Sequence, residues 1–377
     1  MSIYTILSFV FYLKTGIVLL THKKIHRDNN GENMAESEEF AKYSGDEVEG
    51  IRGNSRERSS TEFQMTIVTA FMSNINQRGD RDIQKYVDLG YKLLDVNIRQ
   101  IVFMERRVFD SYFRGRYMYL SSGLSSSSRL SFVYDGREYT YVVFGRITFV
   151  LFEKTDMYFC SVRDTITEFS LDTPHPAKDT LEYMFVQCHK TEWVAMAIQL
   201  DGGVSSRNMR SIPETESKEY KETPENDVTQ VPLGVRRSLY VWMDFGIRHM
   251  FPSDISCEME LYQLRDRVLR STQVLPSTQK VFAPGCWNPT CIYYQDVYRQ
   301  IMWVFAGSMF GGNATILLEF ARRTKEKCLS IIREKRRLMW EVNVWYLVWL
   351  DCREMFALYH GDHNATILRG CCSVVGT

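Results

Sequence analysis

Three side chains stand where their types and neighbours suit polar-ligand chemistry. Asp244 closes the apolar run Tyr240-Val241-Trp242-Met243 and precedes Phe245-Gly246. Ligands of open parallel sheets bind beyond the carboxyl ends of strands, and a carboxylate there can hold a divalent cation bridging two phosphates. A turn carboxylate capping a following helix explains the same residues. His363, in Gly361-Asp362-His363-Asn364, could complete a shell for Mn²⁺, since imidazole and carboxylate together suit that ion. As a surface-loop histidine it would do nothing of the kind, and His249 is a competing imidazole. Glu341 lies in Met339-Trp340-Glu341-Val342-Asn343-Val344-Trp345. A carboxylate among aromatics suits general-base work or the binding of hydroxyls, and Asn343 adds a donor and an acceptor for a sugar hydroxyl. An amphipathic helix with Glu341 outward is the competing reading. The glycines of Phe305-Ala306-Gly307-Ser308-Met309-Phe310-Gly311-Gly312-Asn313 allow close backbone approach at Gly307, Gly311 and Gly312. Ordinary turns account for them almost as well.

These positions need a scaffold. Met65-Thr66-Ile67-Val68-Thr69-Ala70-Phe71 reads as a buried central strand, Asp80 to Leu94 as a helix and Ile98 to Met104 as the next strand. That order is a βαβ unit and implies a parallel sheet. Further strands are expected at 130–134, 139–144 and 146–152, at Ser238 to Met243 and at Tyr298 to Ala306. Helices are expected at Asp179 to Ile198, Ala314 to Ile332 and Trp340 to Leu350.

The chain has 377 residues, 46 Lys plus Arg and 46 Asp plus Glu, so its net charge is zero. A nucleic-acid partner is therefore not expected, because such proteins usually carry a basic excess. The nine cysteines form no C-x-x-C pair and read mostly as free thiols of a reducing compartment. No P-loop, G-x-G-x-x-G, H-E-x-x-H or G-x-S-x-G is present, which removes the enzyme classes those motifs mark. The sequons at Asn313 and Asn364 lie inside candidate site segments, where glycans would obstruct a cleft, and are read as accidental.

Residues 1–24 form an apolar segment interrupted by Lys14. It reads as a weak membrane anchor through residues 3–20, a poor signal sequence, or an extended gene start with Met34 as initiator. Lys23, Lys24 and Arg27 would keep the downstream domain cytoplasmic, so the expected location is cytoplasmic or membrane-associated with a cytoplasmic catalytic domain. Residues 25–64 read as a disordered linker, residues 65–370 as the folded domain, and residues 201–230 as a flexible insertion within it.

Taken in order, these segments resemble the HtrL/YibB family of glycosyltransferases. Thr66 to Phe71, Lys85-Tyr86, Ile101 to Met104 and Lys178-Asp179-Thr180 carry the likeness, followed by Lys190 with Glu192, Tyr240 to His249, Phe305 to Gly312 and Trp340 to His363. It covers roughly residues 65–368 apart from the insertion. The family is similar to nucleotide-sugar transferases of the GT-A type. The resemblance implies an α/β, GT-A-like fold with a mostly parallel central sheet flanked by helices and a Rossmann-like nucleotide-binding half. It implies transfer of a sugar from a nucleotide-sugar donor to a glycan or glycolipid acceptor, assisted by Mn or Mg. Thr69, Ala70, Phe71 and Lys190 would contact the nucleotide, Asp244 and His363 would hold the metal, and Gly307 to Gly312 would border a sugar. Glu341 would face the reacting sugar, with Asn343 beside it. One departure stands out: the family type's D-x-D is here Asp244-Phe245-Gly246, with a single carboxylate. A metal-dependent hydrolase using Asp244 and His363, and a non-catalytic glycan-binding protein of the same fold, are the alternatives.

Overall fold

A computed structural model describes residues 64–73, 82–120, 130–169, 180–204, 238–274, 280–285, 297–298 and 301–369. The expected anchor, most of the linker and most of the 201–230 insertion lie outside the described residues. No helix among the described residues is long and apolar enough to cross a membrane.

The fold is α/β, built on one nine-stranded sheet. The strands are β1 (Met65–Phe71), β2 (Arg99–Met104), β3 (Leu130–Tyr134), β4 (Arg137–Phe144), β5 (Ile147–Leu151), β6 (Leu239–Met243), β7 (Val281–Gly285), β8 (Met309–Asn313) and β9 (Phe356–His360). Their order across the sheet is β3-β4-β5-β2-β1-β6-β8-β7-β9. The three strands read from apolar runs around Val68, Ile101 and Val241 are adjacent and parallel, β1 lying between β2 and β6. β5 continues that parallel set beside β2. A mostly parallel sheet is not what results: four neighbouring pairs are parallel and four antiparallel. The β3–β4–β5 meander adds one antiparallel edge, and β8 runs against both β6 and β7.

Side chains of a strand alternate between faces, and the central strands feed apolar clusters on both. Val68, Ile101, Tyr240, Trp242 and Phe310 pack with the helices of one face. Ile67, Val241 and Met243 join a second cluster, and Phe71, Val102 and Met104 a third. Burial on both faces explains why these runs lack polar alternation. The helices used below are α1 (Ile83–Leu94), α2 (Leu181–Cys188), α3 (Lys190–Val204), α4 (Asp254–Val274), α5 (Ala314–Lys335) and α6 (Glu341–Asp351). Asp82 caps α1, its carboxylate accepting from Lys85 N at 2.8 Å. Asn313 caps α5, accepting from Ile316 N at 3.0 Å.

Three departures from the sequence expectation matter. Tyr298 to Ala306 is no strand; in its described part it makes turns leading into β8. The glycines expected to form a ligand-bordering loop are partly strand, since Gly311 and Gly312 belong to β8. The single helix expected over Asp179 to Ile198 is two, α2 and α3, with His189 capping the first. That junction starts α3 at Lys190 and turns its side chain toward the carboxyl ends of β1 and β6.

Candidate functional site

A cleft of ≈ 510 Å³ opens at the carboxyl ends of β1 and β6. Its size falls within the roughly 300–1,000 Å³ of small-molecule sites. β1 delivers Ala70 and Phe71 to it, and the residue after β6 is Asp244. Asp244 is fixed from behind, its backbone N–H donating to Ser308 O at 2.9 Å.

The floor is an ionic cluster. The Lys190 side chain is 3% exposed, and its ammonium lies 3.0 Å from Asp244 Oδ1 and 3.1 Å from Glu341 Oε1. It also donates to Gly307 O at 2.8 Å. One lysine thus ties together the end of β6, the turn before β8 and the first turn of α6. Burial works against its charge, but the Asp244 and Glu341 carboxylates outweigh burial and hold the ammonium above the usual lysine range. The Trp242 ring lies 5.9 Å from the same nitrogen, and Trp242 Nε1 donates to Asp244 Oδ1 at 3.1 Å.

Glu341 opens α6, where the helix dipole favours a carboxylate. Gly307 makes room for it: a Cβ there would sit 2.2 Å from Glu341 Oε1. Glu341 Oε2 is buried without a hydrogen-bond partner, and so is Ser308 Oγ. Trp193 Nε1 and Trp340 Nε1, also on cleft-lining residues, are unpartnered as well. Buried polar atoms are nearly always satisfied, so these four are candidates to meet a ligand's polar groups.

Two aromatic walls flank this floor. On the Asp244 side Phe71 stacks on Phe245 at 5.1 Å and meets Tyr86 at 6.0 Å. On the Glu341 side a chain runs from Tyr183 to Trp340 at 5.5 Å, Trp340 to Trp303 at 6.3 Å and Trp303 to His363 at 5.2 Å.

The structure gathers Ala70, Phe71, Lys190, Asp244, Gly307, Glu341 and His363 in this one cleft. Four other expected residues do not line it. Thr69 is wholly buried within β1, its backbone paired opposite Val102. Asn343 spends its amide on the backbone: Oδ1 accepts from Met302 N at 2.8 Å and Nδ2 donates to Val297 O at 2.7 Å. It anchors the chain ahead of Trp303. Gly311 admits the Phe282 ring, which a Cβ would meet at 2.3 Å, and Gly312 admits Ile316 at 2.8 Å. Both serve packing. Conversely, Trp303 and Tyr183 join the site unannounced by the sequence. Trp303 sits in the apolar run read as a strand, and Tyr183 in a helix whose face cannot be told from periodicity.

Asp244 and His363 do share the cleft, but among the described residues no group of three His, Cys, Asp or Glu side chains could hold a metal ion. Asp244 Oδ1 is already engaged by Lys190 and Trp242. The donor set therefore does not fit a resident metal cage. A single carboxylate can still meet a cation that a substrate carries, since Mg²⁺ is commonly bound by one or two carboxylates plus substrate phosphates.

No family model, curated protein or solved structure matches the chain.

Proposed function

We propose that the protein is a glycosyltransferase of the GT-A-like kind, moving a sugar from a nucleotide-sugar donor to a glycan or glycolipid acceptor. The observation that carries this reading is the floor of the cleft. Lys190 binds Glu341 through Oε1 alone and leaves Oε2 without a protein partner. The cleft also stands outside the carboxyl ends of the parallel strands β1 and β6, where α/β sheets bind nucleotides. The N-terminus of α1 borders it through Asp82 and Ile83, and a helix N-terminus favours phosphate.

In this reading the nucleotide lies against Phe71, Tyr86 and Phe245, with its diphosphate near Asp244. A divalent cation carried by the diphosphate would neutralise the leaving group, and Asp244 and His363 are the side chains that would hold it. Glu341 Oε2 accepts the hydrogen of the acceptor hydroxyl. As the acceptor oxygen bonds to the anomeric carbon, the anomeric C–O bond breaks and its electron pair leaves with the diphosphate. The proton passes to Glu341. Lys190 keeps the carboxylate aimed at the cleft throughout.

A thermal-shift screen of nucleotide sugars, with and without Mn²⁺, tests the reading, because a ligand of the native state raises apparent stability. At least one nucleotide sugar should raise Tm, and more with the cation. No response to any nucleotide diphosphate would overturn the reading in favour of a glycan-binding protein. Donor turnover unchanged by any acceptor would make the protein a hydrolase.

A further inference from the structure

The Glu341 side of the cleft has a chemistry the transfer reading does not specify. We infer that it is an acceptor subsite for a neutral pyranoside, stacked on Trp303 and held through hydroxyls by Glu341 and Ser308. The inference names the acceptor class for the proposed transfer and rests on that reading for the word acceptor; the binding of the sugar itself does not depend on it.

Three observations carry it. Trp303 is part-exposed and lines the cleft, between Trp340 at 6.3 Å and His363 at 5.2 Å. The apolar face of a pyranose can cover such a ring, as amphipathic rings favour sites with one apolar and one wet side. Next, Glu341 Oε2 and Ser308 Oγ are buried without partners on residues of the same cleft. A carboxylate oxygen accepts from a hydroxyl, and a serine both donates and accepts, which matches a polyol and leaves an apolar ligand unsatisfying. Finally, the protein's own charges disfavour an acidic glycoside that brings no cation with it. Among the cleft-lining residues Asp82, Asp244 and Glu341 supply three carboxylates against the single ammonium of Lys190, the two imidazoles aside. That ammonium is consumed by Asp244, Glu341 and the Gly307 carbonyl. A uronate or sugar phosphate beside Glu341, lacking the cation that a diphosphate would carry in, would meet repulsion from that carboxylate while the lining's single ammonium is already paired.

The test is saturation-transfer NMR with titration, on the full chain, using methyl glycosides of neutral hexoses, hexuronic acids and hexose phosphates. Neutral glycosides should bind, and the acidic ones at least tenfold more weakly. Trp303→Ala should weaken the neutral glycosides tenfold or more, while Trp303→Phe, which keeps an aromatic face, should restore most of the loss. Ser308→Ala provides a second arm that leaves the aromatic wall intact, with a loss of several-fold expected. Tighter binding of acidic glycosides, or neutral binding that ignores both Trp303→Ala and Ser308→Ala, would overturn the subsite. So would the absence of any glycoside binding. Nucleotide sugars titrated in parallel keep the two readings apart. Neutral glycosides bound without any nucleotide sugar would sustain the subsite and sink the transferase, whereas the reverse would sink only the subsite.

Discussion

Two lysine–glutamate pairs lie on either side of one turn of α3, and only one of them lines the cleft. Lys190 meets Asp244 and Glu341 in the floor of the cleft. Glu192, two residues on, accepts from Lys325 Nζ at 2.8 Å and from Tyr134 OH at 3.0 Å. Lys325 reaches on to Asp135 at 3.2 Å and lies 5.2 Å from the Tyr158 ring. Burial disfavours the Lys325 charge, but Glu192 and Asp135 hold its ammonium above the ordinary range. The two clusters use the same ions and the same pairing. They differ in where they stand: the second joins α3 to α5 and the β3–β4 turn, whereas Lys190 and Glu341 of the first line the cleft. A buried ion pair is thus no mark of a site by itself, since burial demands pairing wherever it occurs. Position at the cleft separates the two.

Removing each lysine should break this comparison most forcefully. Lys190→Met leaves Glu341 buried beside no cation, and uncompensated buried charge costs about 3–5 kcal/mol. Lys325→Met should cost less, about 1–3 kcal/mol, because Tyr134 still donates to Glu192. Urea denaturation of both variants checks the order; equal losses would mean that the two clusters are equivalent.

Asp244→Asn comes next. The side chain is 36% exposed, so the fold should survive with a modest loss of stability. Mn²⁺-dependent binding of a nucleotide sugar should fall at least tenfold by calorimetry, since the amide nearly keeps the shape and loses the charge. Unchanged affinity with and without the cation would remove Asp244 from the diphosphate site.

The smallest effect concerns His189, the residue before Lys190. It is wholly buried, both ring nitrogens lack a partner, and burial first, then nearby Lys325, hold its pKa well below the ordinary 6.5. The folded state keeps it neutral while the unfolded chain takes up a proton below about pH 6.5. The unfolded state then binds more protons, so stability falls as the pH drops below about 6.5 and is fully present above it. His189→Phe should flatten that part of the stability–pH curve measured by urea midpoints. A curve of unchanged slope would show that other groups set it.

The comparison also shows what was legible in the sequence. Short, mostly apolar runs gave away β1, β2 and β6, because burial on both faces leaves little polar alternation to misread. Asp244 was visible for the same reason, as the first carboxylate after such a run. β7, β8 and β9 were not read as strands: β8 is Met-Phe-Gly-Gly-Asn and β7 contains Pro284 and Gly285. The composition of β7 and β8 speaks of turns, and pairing in the sheet overrides it. The partners of Lys190 lie 54 and 151 positions away at Asp244 and Glu341, so no local spacing could reveal the cluster. Asn343 had the right chemistry for a site, yet the fold uses it to hold backbone at Val297 and Met302.

The most direct test of the account sets Glu341→Gln against Glu192→Gln in a glycosyl-transfer assay, each rate divided by the folded fraction. Removing a general base commonly costs roughly 10²–10⁴-fold. The account predicts a loss of that order for Glu341→Gln, with donor binding retained, and a corrected rate close to the parent protein's for Glu192→Gln. A Glu341→Gln protein that transfers at the parent rate would contradict it.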